Sequence, residues 1–383
     1  MCGYRGDTDA DLNDDGEIDV SEALMVPDLK VSKASITSLD GINNFINLKG
    51  LECEYNLLTF LNVSKLKKLE YLNCRYNSIA ILNLEGLSNI KLLFCSHNQI
   101  NALDLSGFKI LEVLNCNSNK LITLDLKDLL SLQDLSCSYN QITHLDLKGL
   151  VNLKYLGCNN NQLVKLDLRE LIYLESVRCS YNQLIELKVE GLINLTELFC
   201  SVNLLTSLEV NSLVNIRYFL DCSHNKLSLL DTRALKKLNR LYCNNNQLKS
   251  LLIKSGNNGL EVAFKNNTNL EYICCDELQI NSIVTLVKLF ELPNCVVNSE
   301  CNTTKTWDIY TKINIFPNPV TTILSLEIKE NWNKAEIFDI AGRIIRSVSL
   351  DGNSLDVSEL ESGTYFVRLK DGEKVGIVKF VKL

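Results

Sequence analysis

Six residues near the N-terminus carry oxygen at the spacing a hard cation needs. Asp11, Asn13, Asp15, Glu17, Asp19 and Glu22 occupy the first, third, fifth, seventh, ninth and twelfth places of one loop, with Gly16 at the sixth. The side chains of Asp11, Asn13 and Asp15, the main-chain carbonyl of Glu17, Asp19 directly or through water, and both oxygens of Glu22 form the donor set that Ca2+ takes. The glycine admits the sharp turn. Frames starting at Asp7 or Asp9 put Leu12 or Asp14 at the sixth place, so they fail. The alternative is an acidic loop at a chain end. No enzyme chemistry is expected. The histidines are His97, His144 and His224, and two of them fall several repeats apart in one column. H-E-x-x-H, G-x-S-x-G, G-x-G-x-x-G and C-x-x-C are absent.

The elements that must position any site come from a repeat. Leu48, Leu69, Ile90, Leu111, Leu132, Leu153, Leu174, Leu195 and Ile216 recur 21 apart, and Leu238 follows one residue late. The extra residue is placed at Phe219–Asp221. A fixed period of this size marks a solenoid. In each unit Leu and Cys alternate as strand residues do, as in Leu135 and Cys137, so both face inward. Asn follows Cys by three: Asn56, Asn77, Asn98, Asn119, Asn140, Asn161, Asn182, Asn203, Asn225 and Asn246. A buried amide there is expected to bond backbone groups of its own and the next coil. Leu145-Asp146-Leu147 is expected to form a short extended segment on the convex side. The pattern L-x-x-L-x-C-x-x-N-x-L-x-x-L-D-L-x-x-L-x-x resembles the leucine-rich repeat family, in its variant with Cys at the second buried strand position. The resemblance runs over 29–259 and implies a parallel β-sheet on a concave face.

Composition narrows the classes. The net charge of −7 is spread along the chain and argues against a nucleic-acid surface. No apolar run reaches the ~18 residues of a membrane span. The first residues are polar and acidic, so no signal peptide is visible, and the sequence is expected to begin inside a longer protein. Ten of the fifteen cysteines form the repeat column, Cys53 to Cys243, and read as small core hydrophobes. Cys2, Cys274, Cys275, Cys295 and Cys301 lie outside it.

The flanks carry further resemblances. The stretch 1–28 resembles half of a dockerin, or an EF-hand; a full dockerin needs two such loops. Region 260–306 holds an amphipathic stretch, Gln279 to Phe290, and resembles the C-terminal cap of exported bacterial proteins of this repeat type, where a Cys pair closes the end. That implies Cys295–Cys301, with pairing to Cys274 or Cys275 left open. From 311 to 383 short alternating strands suggest a small β-sandwich. Pro317-Asn318-Pro319, then Asp339, Gly342 and Arg343, then Gly363 and Tyr365, then Lys379-Phe380-Val381-Lys382 resemble the C-terminal sorting domain of the type IX secretion system of Bacteroidetes. The resemblance implies the type IX machinery as a partner and a secreted or outer-membrane surface location. The joint between cap and sandwich is expected near Thr303-Thr304-Lys305.

The ligand face is expected between the buried strand positions. Tyr71, Tyr76, Phe94, His97, Tyr139, Tyr155, Arg178, Tyr181, Phe199 and Tyr242 are the candidates, because exposed aromatics and Arg in register suit binding. Shielding of strand edges is the alternative. Asp104, Asp125, Asp146 and Asp167 form an acidic column, read as a solvated face or a cation site. The function expected is a secreted or surface binding and adhesion protein for a protein or glycan. The competing reading is an accessory, non-catalytic region of a larger exported hydrolase whose catalytic domain lies upstream of Met1.

Overall fold

The computed structural model describes residues 10, 11, 13, 15–301, 314–327, 332, 334–339, 343–350, 352–371 and 374–383. The chain divides into two compact units, Met1–Cys301 and Asn302–Leu383.

The first unit is a right-through stack of coils. Three-residue strands from Asp28–Lys30 to Glu261–Ala263 pair in parallel as one twelve-stranded sheet. Each strand meets its neighbour in the same column, as in Leu114↔Leu135↔Leu156. Leu135 and Cys137 are fully buried, and the same holds at each coil from Leu51 and Cys53 to Leu241 and Cys243. Burying one such leucine contributes roughly 1.5–3 kcal/mol, so the stack gains with each added coil. The first coil keeps the register: Leu29 pairs with Leu51. The extra residue lies just ahead of the place expected. Glu197 pairs with Phe219, so Arg217 and Tyr218 stand where Thr196 alone does in the preceding coil, and Tyr218 is the insertion.

The Asn column locks each coil to the one before it, where the next was expected. Asn140 Nδ2 donates to the carbonyls of Cys137 and Cys116, both at 3.1 Å, and Asn140 Oδ1 accepts the Leu121 N–H at 3.0 Å. The strand-to-turn corner then needs a left-handed residue. Tyr55, Tyr76, His97, Ser118, Tyr139, Asn160, Tyr181, Val202, His224 and Asn245 all have φ between 53° and 57°. A second polar ladder lies beside it. Ser138 N donates to Asn117 Oδ1 at 2.6 Å, Asn159 N to Ser138 Oγ at 3.1 Å, and Ser180 N to Asn159 Oδ1 at 2.8 Å.

The far side is less regular. Ladders form at Phe60–Asn62 with Ile81–Asn83, at Lys165–Asp167 with Glu186–Lys188, and from Leu229–Asp231 through Val296–Asn298. Leu145 to Leu147, expected as a short extended segment, pair with no neighbouring coil as a strand. The acidic column explains what replaces it. Asp104, Asp125 and Asp146 accept the N–H two residues on, at 2.9, 3.0 and 3.0 Å. These carboxylates cap their own turns. Hydrogen bonds from Ser106 hold the Asp104 carboxyl below the usual carboxylate range.

Both ends of the stack are closed. At the start, Asp19 and Glu22 form a reciprocal cap on the short helix Val20–Ala23, and Ala23 and Val26 join the core. At the end, the long sheet stops at Glu261–Ala263, while the strand Tyr272–Cys274 continues the far-side one. The helix Ile280–Leu289 takes the long sheet's next place, burying Ile283 and Val287, and Phe290 meets Phe264 edge-on at 5.2 Å. The Cys295–Cys301 expectation is corrected here: Cys301 bonds Cys274, with Cα atoms 5.1 Å apart. The reason is register. Cys274 lies opposite Asn298, and the turn after Asn298 brings Cys301 back onto the outer side of that strand. Cys295 instead packs against the solenoid core as a free thiol.

The terminal unit holds two antiparallel sheets. One comprises Asn314–Phe316, Ile323–Glu327 and Ser354–Asp356; the other comprises Ile344–Ser349, Lys334–Asp339, Gly363–Asp371 and Lys374–Lys382. Leu324 and Leu326 from the first share a core with Ala335, Ile337, Val367, Leu369 and Phe380 from the second. Buried Glu336 within it is answered by Arg368 and Lys334.

Candidate functional site

Side chains between the buried columns of the long sheet point outward and make its open face. The ten candidates resolve into groups. Tyr71 lies 5.8 Å from Phe94, and the Arg75 guanidinium sits 5.2 Å over the Phe94 ring. At the turn edge, Tyr76 stacks on Tyr55 at 4.4 Å and on His97 at 4.2 Å. Their left-handed backbone aims all three the same way. Tyr139 and Tyr181 occupy the same column and are well exposed, but no ring contact joins them to that stack.

The largest group spans five neighbouring strands. Arg178 lies 5.9 Å over Tyr155 and 5.2 Å over Phe199, and also pairs with Glu197 at 3.1 Å. Phe199 stacks on Phe219 at 5.0 Å, and Phe219 meets Tyr242 edge-on at 4.6 Å. Gly157 makes this packing possible. A Cβ there would stand 3.1 Å from Tyr155 Oη, so the Tyr155 ring lies across the glycine. Burial raises the Tyr155 hydroxyl above its ordinary value. Phe219 escaped the sequence reading because the inserted Tyr218 shifts its column.

Two further features were missed. Asp134 sits in mid-face, in register between Val113 and Tyr155. Burial pushes its carboxyl up, opposed by a hydrogen bond from Ser136. Beside the leading edge of the sheet, Leu130, Val151, Ile172, Ile193 and Val214 form an aliphatic stripe, 44% to 55% exposed. They recur at the repeat period, a signal that inspection of the outward columns alone could have found. Asn152, Asn194 and Asn215 lie alongside and donate to the carbonyls of Leu130, Ile172 and Ile193 at 2.7–2.8 Å. The stripe therefore has little unsatisfied backbone polarity.

In the N-terminal loop the oxygens turn inward. Asp11 accepts the N–H groups of Asp15 and Gly16 at 3.2 and 2.8 Å, and Asn13 accepts that of Asp15 at 2.9 Å. Glu22 bridges the N–H groups of Asn13 and Asp19 at 3.1 and 2.9 Å. The donor set is all oxygen and suits a hard cation. Among the described residues no three His, Cys, Asp or Glu side chains gather tightly enough to form a metal site by themselves. A cation there would draw on the Asn13 amide and the Glu17 carbonyl as well.

In the terminal unit, Asn318 accepts the Val381 N–H at 2.9 Å and so ties the Pro317–Pro319 turn to the last strand. Arg343 pairs with Asp339 at 3.1 Å. Tyr365, two residues past Gly363, stacks on Phe380 at 5.7 Å. Lys379 and Lys382 lie on the same last strand. Gly342 and the Thr303-Thr304-Lys305 joint lie outside the described residues.

Residues 314–383 match the secretion system C-terminal sorting domain. The terminal unit thus marks a secreted or cell-surface protein. The functional domain of InlJ from Listeria monocytogenes, described as including a cysteine ladder, aligns at a TM-score of 0.52 and 22% identity, covering 96% of this chain and 92% of that one. The long unit is a leucine-rich repeat solenoid. An internalin, inlF, from the same species aligns at 0.51 and 21% identity, covering 74% of this chain and 89% of that one. YopM, a leucine-rich effector protein from Yersinia pestis, aligns at 0.50 and 22%, covering 66% and 78%. At these identities the likeness is one of fold. No curated protein sequence matches the chain. No described helix is long and apolar enough to cross a membrane.

Proposed function

We propose that this chain is exported through the type IX machinery and binds another protein on the open face of its long sheet. The observation that carries the reading is Arg178 held between Tyr155 and Phe199, continued by Phe219 and Tyr242. Aromatic and Arg side chains concentrate binding energy when a partner desolvates them. Five adjacent strands span roughly 20 Å, a width suited to a peptide segment or a domain edge. The aliphatic stripe favours a polypeptide over a glycan, since a sugar offers few apolar groups to cover it. The binding test uses a panel of immobilised extracellular proteins and glycans, probed with the full chain. An Arg178→Ala/Phe199→Ala double variant is expected to lose at least about tenfold in affinity, whereas His144→Ala, on the far side, retains it. Equal binding by the double variant would refute the face.

The sorting reading assigns Pro317, Asn318, Pro319, Asp339, Gly342, Arg343, Gly363, Tyr365 and Lys379 to Lys382 to an address that a Bacteroidetes export machine reads. Behind a signal peptide in such a host, the full chain should reach the surface or medium. A chain ending at Val378 should stay in the periplasm; its export at the normal level would count against the address. The N-terminal loop is proposed to hold Ca2+ through Asp11, Asn13, Asp15, Glu17, Asp19 and Glu22, with an affinity on the order of 10⁻⁴–10⁻³ M. Titration calorimetry should give heat for the native chain and little for Glu22→Gln. Matching heats would remove calcium from the account.

A further inference from the structure

Acidic side chains recur on the open face, and most are answered within the fold. Lys30 lies 3.4 Å from Glu52, Arg178 lies 3.1 Å from Glu197, and Arg240 lies 3.3 Å from Glu261. Asp221 accepts the Ser223 N–H at 3.0 Å. Asp134 differs. It is half-buried, its hydrogen bond from Ser136 Oγ is long at 3.4 Å, and no Lys, Arg or His among the described residues neutralises it. Taking a carboxylate part-way out of water without a cation is unfavourable. A ligand that supplies the cation recovers that cost.

The surroundings leave space for one. Along the next outward column the order is Phe94, Asn115, Ser136, Gly157, Arg178. Asn115 and Ser136 are the short side chains beside Asp134, and the Tyr155 ring lies over Gly157. Phe94 walls one end, and the Tyr155 ring with Arg178 walls the other. Arg178 is already satisfied by Glu197, so it does not supply the missing charge. Val113 and the Tyr155 ring flank the carboxylate in its own column and offer apolar surface to an alkyl stem. Glu112 and Lys154, at the leading edge, oppose one another in charge.

We propose that Asp134 anchors a lysine or arginine side chain of the bound polypeptide, seated over Asn115 and Ser136 between Phe94 and the Tyr155 ring. The proposal rests on the sheet face being the binding face and adds the chemistry of what it selects.

The test uses the full chain and random dodecapeptides displayed on phage, with the enriched sequences resynthesised. Enriched peptides should carry Lys or Arg next to aliphatic or aromatic residues. Replacing that cation with norleucine should weaken binding about tenfold or more. Asp134→Asn should weaken the parent peptide as much, and in that variant the norleucine change should cost nothing further. Asn keeps the shape and the Ser136 contact, and an unchanged thermal midpoint verifies the fold. Peptides that need Arg178 and Phe199 but carry no cation, or that bind Asp134→Asn undiminished, overturn the anchor and leave the face intact. Peptides that bind no better to the native chain than to Arg178→Ala/Phe199→Ala overturn both. Binding of an amino-sugar polymer such as chitosan with no peptide bound also overturns the polypeptide anchor.

Discussion

Mild alkali should unfold the solenoid through its thiols. The ladder from Cys53 to Cys243 is buried and free at every coil. Burial pushes the thiols of Cys53, Cys95, Cys137 and Cys179 up to about 12. Cys74, Cys116, Cys158, Cys200, Cys222 and Cys243 are raised for the same reason. In the unfolded chain a thiol titrates near ~8.5. The folded value lies above the unfolded one, and the neutral form is the one the fold accepts. The ladder's contribution is therefore complete below ~8.5 and is lost as pH rises through the range up to about 12. Between about pH 7.5 and about pH 9, each thiol shifts the equilibrium toward unfolding by about 0.8 kcal/mol, and the whole ladder by on the order of 8 kcal/mol. That is comparable to the entire stability of an ordinary domain, about 5–15 kcal/mol. The assay is urea unfolding followed by far-ultraviolet circular dichroism across this range. A phosphine reductant keeps the Cys274–Cys301 bridge open throughout. A Cys116→Val/Cys137→Val/Cys158→Val variant removes three of the titrating groups, and its stability should fall by about 2 kcal/mol less over the same interval. Parallel pH dependences in the two proteins would refute the reasoning, since the ladder thiols would then not change protonation on unfolding.

Other perturbations separate the parts of a coil. Asn140→Leu should cost roughly 1–3 kcal/mol by stranding the Leu121 N–H, while the Cys116 and Cys137 carbonyls each lose one of two amide donors and keep Asn119 and Asn161. Cys137→Val should cost less near neutral pH, and a reversed order of urea midpoints would point to a thiol role not described above. Val202 is β-branched yet has a φ of 54°, so Val202→Asn, the residue found at Asn160 and Asn245 in that column, should stabilise by about 1 kcal/mol. An unchanged or lower midpoint would show that Val202 repays its backbone conformation through packing. In acid the sign reverses. Ser106 holds Asp104, and Arg169 holds Asp167, below the ordinary carboxylate value. Their contribution is present above ~3.9 and is lost as pH falls below it. An Asp104→Ala/Asp167→Ala variant should show a flatter acid limb in thermal midpoint against pH.

Periodic features were legible in the sequence, and single-copy features were not. Leu, Cys and Asn at fixed offsets reveal the inward columns because each recurs under the same steric demand. The left-handed corner could not be read, since Tyr, His, Ser, Asn and Val all occupy it and share no side-chain chemistry. The Cys301 pairing depends on the strand register of the last two strands, which no repeat predicts. Asp134 looks like any polar residue in a variable column. Only the short side chains at Asn115 and Ser136, and the cations bound to Glu52, Glu197 and Glu261, set it apart.

The Asn bonds run one way along the stack. Asn56 serves Val31, Asn140 serves Cys116 and Leu121, and Asn267 serves Cys243 and Leu248. A coil is thus finished only when its successor arrives. During synthesis or export from the N-terminus, the newest coil is always the incomplete one, and order should advance along the chain one step behind its emergence. The last coil has no successor of its own kind. A helix and a covalent bridge stand there instead, so the trailing end acts as the stopper that ends the sequence of closures.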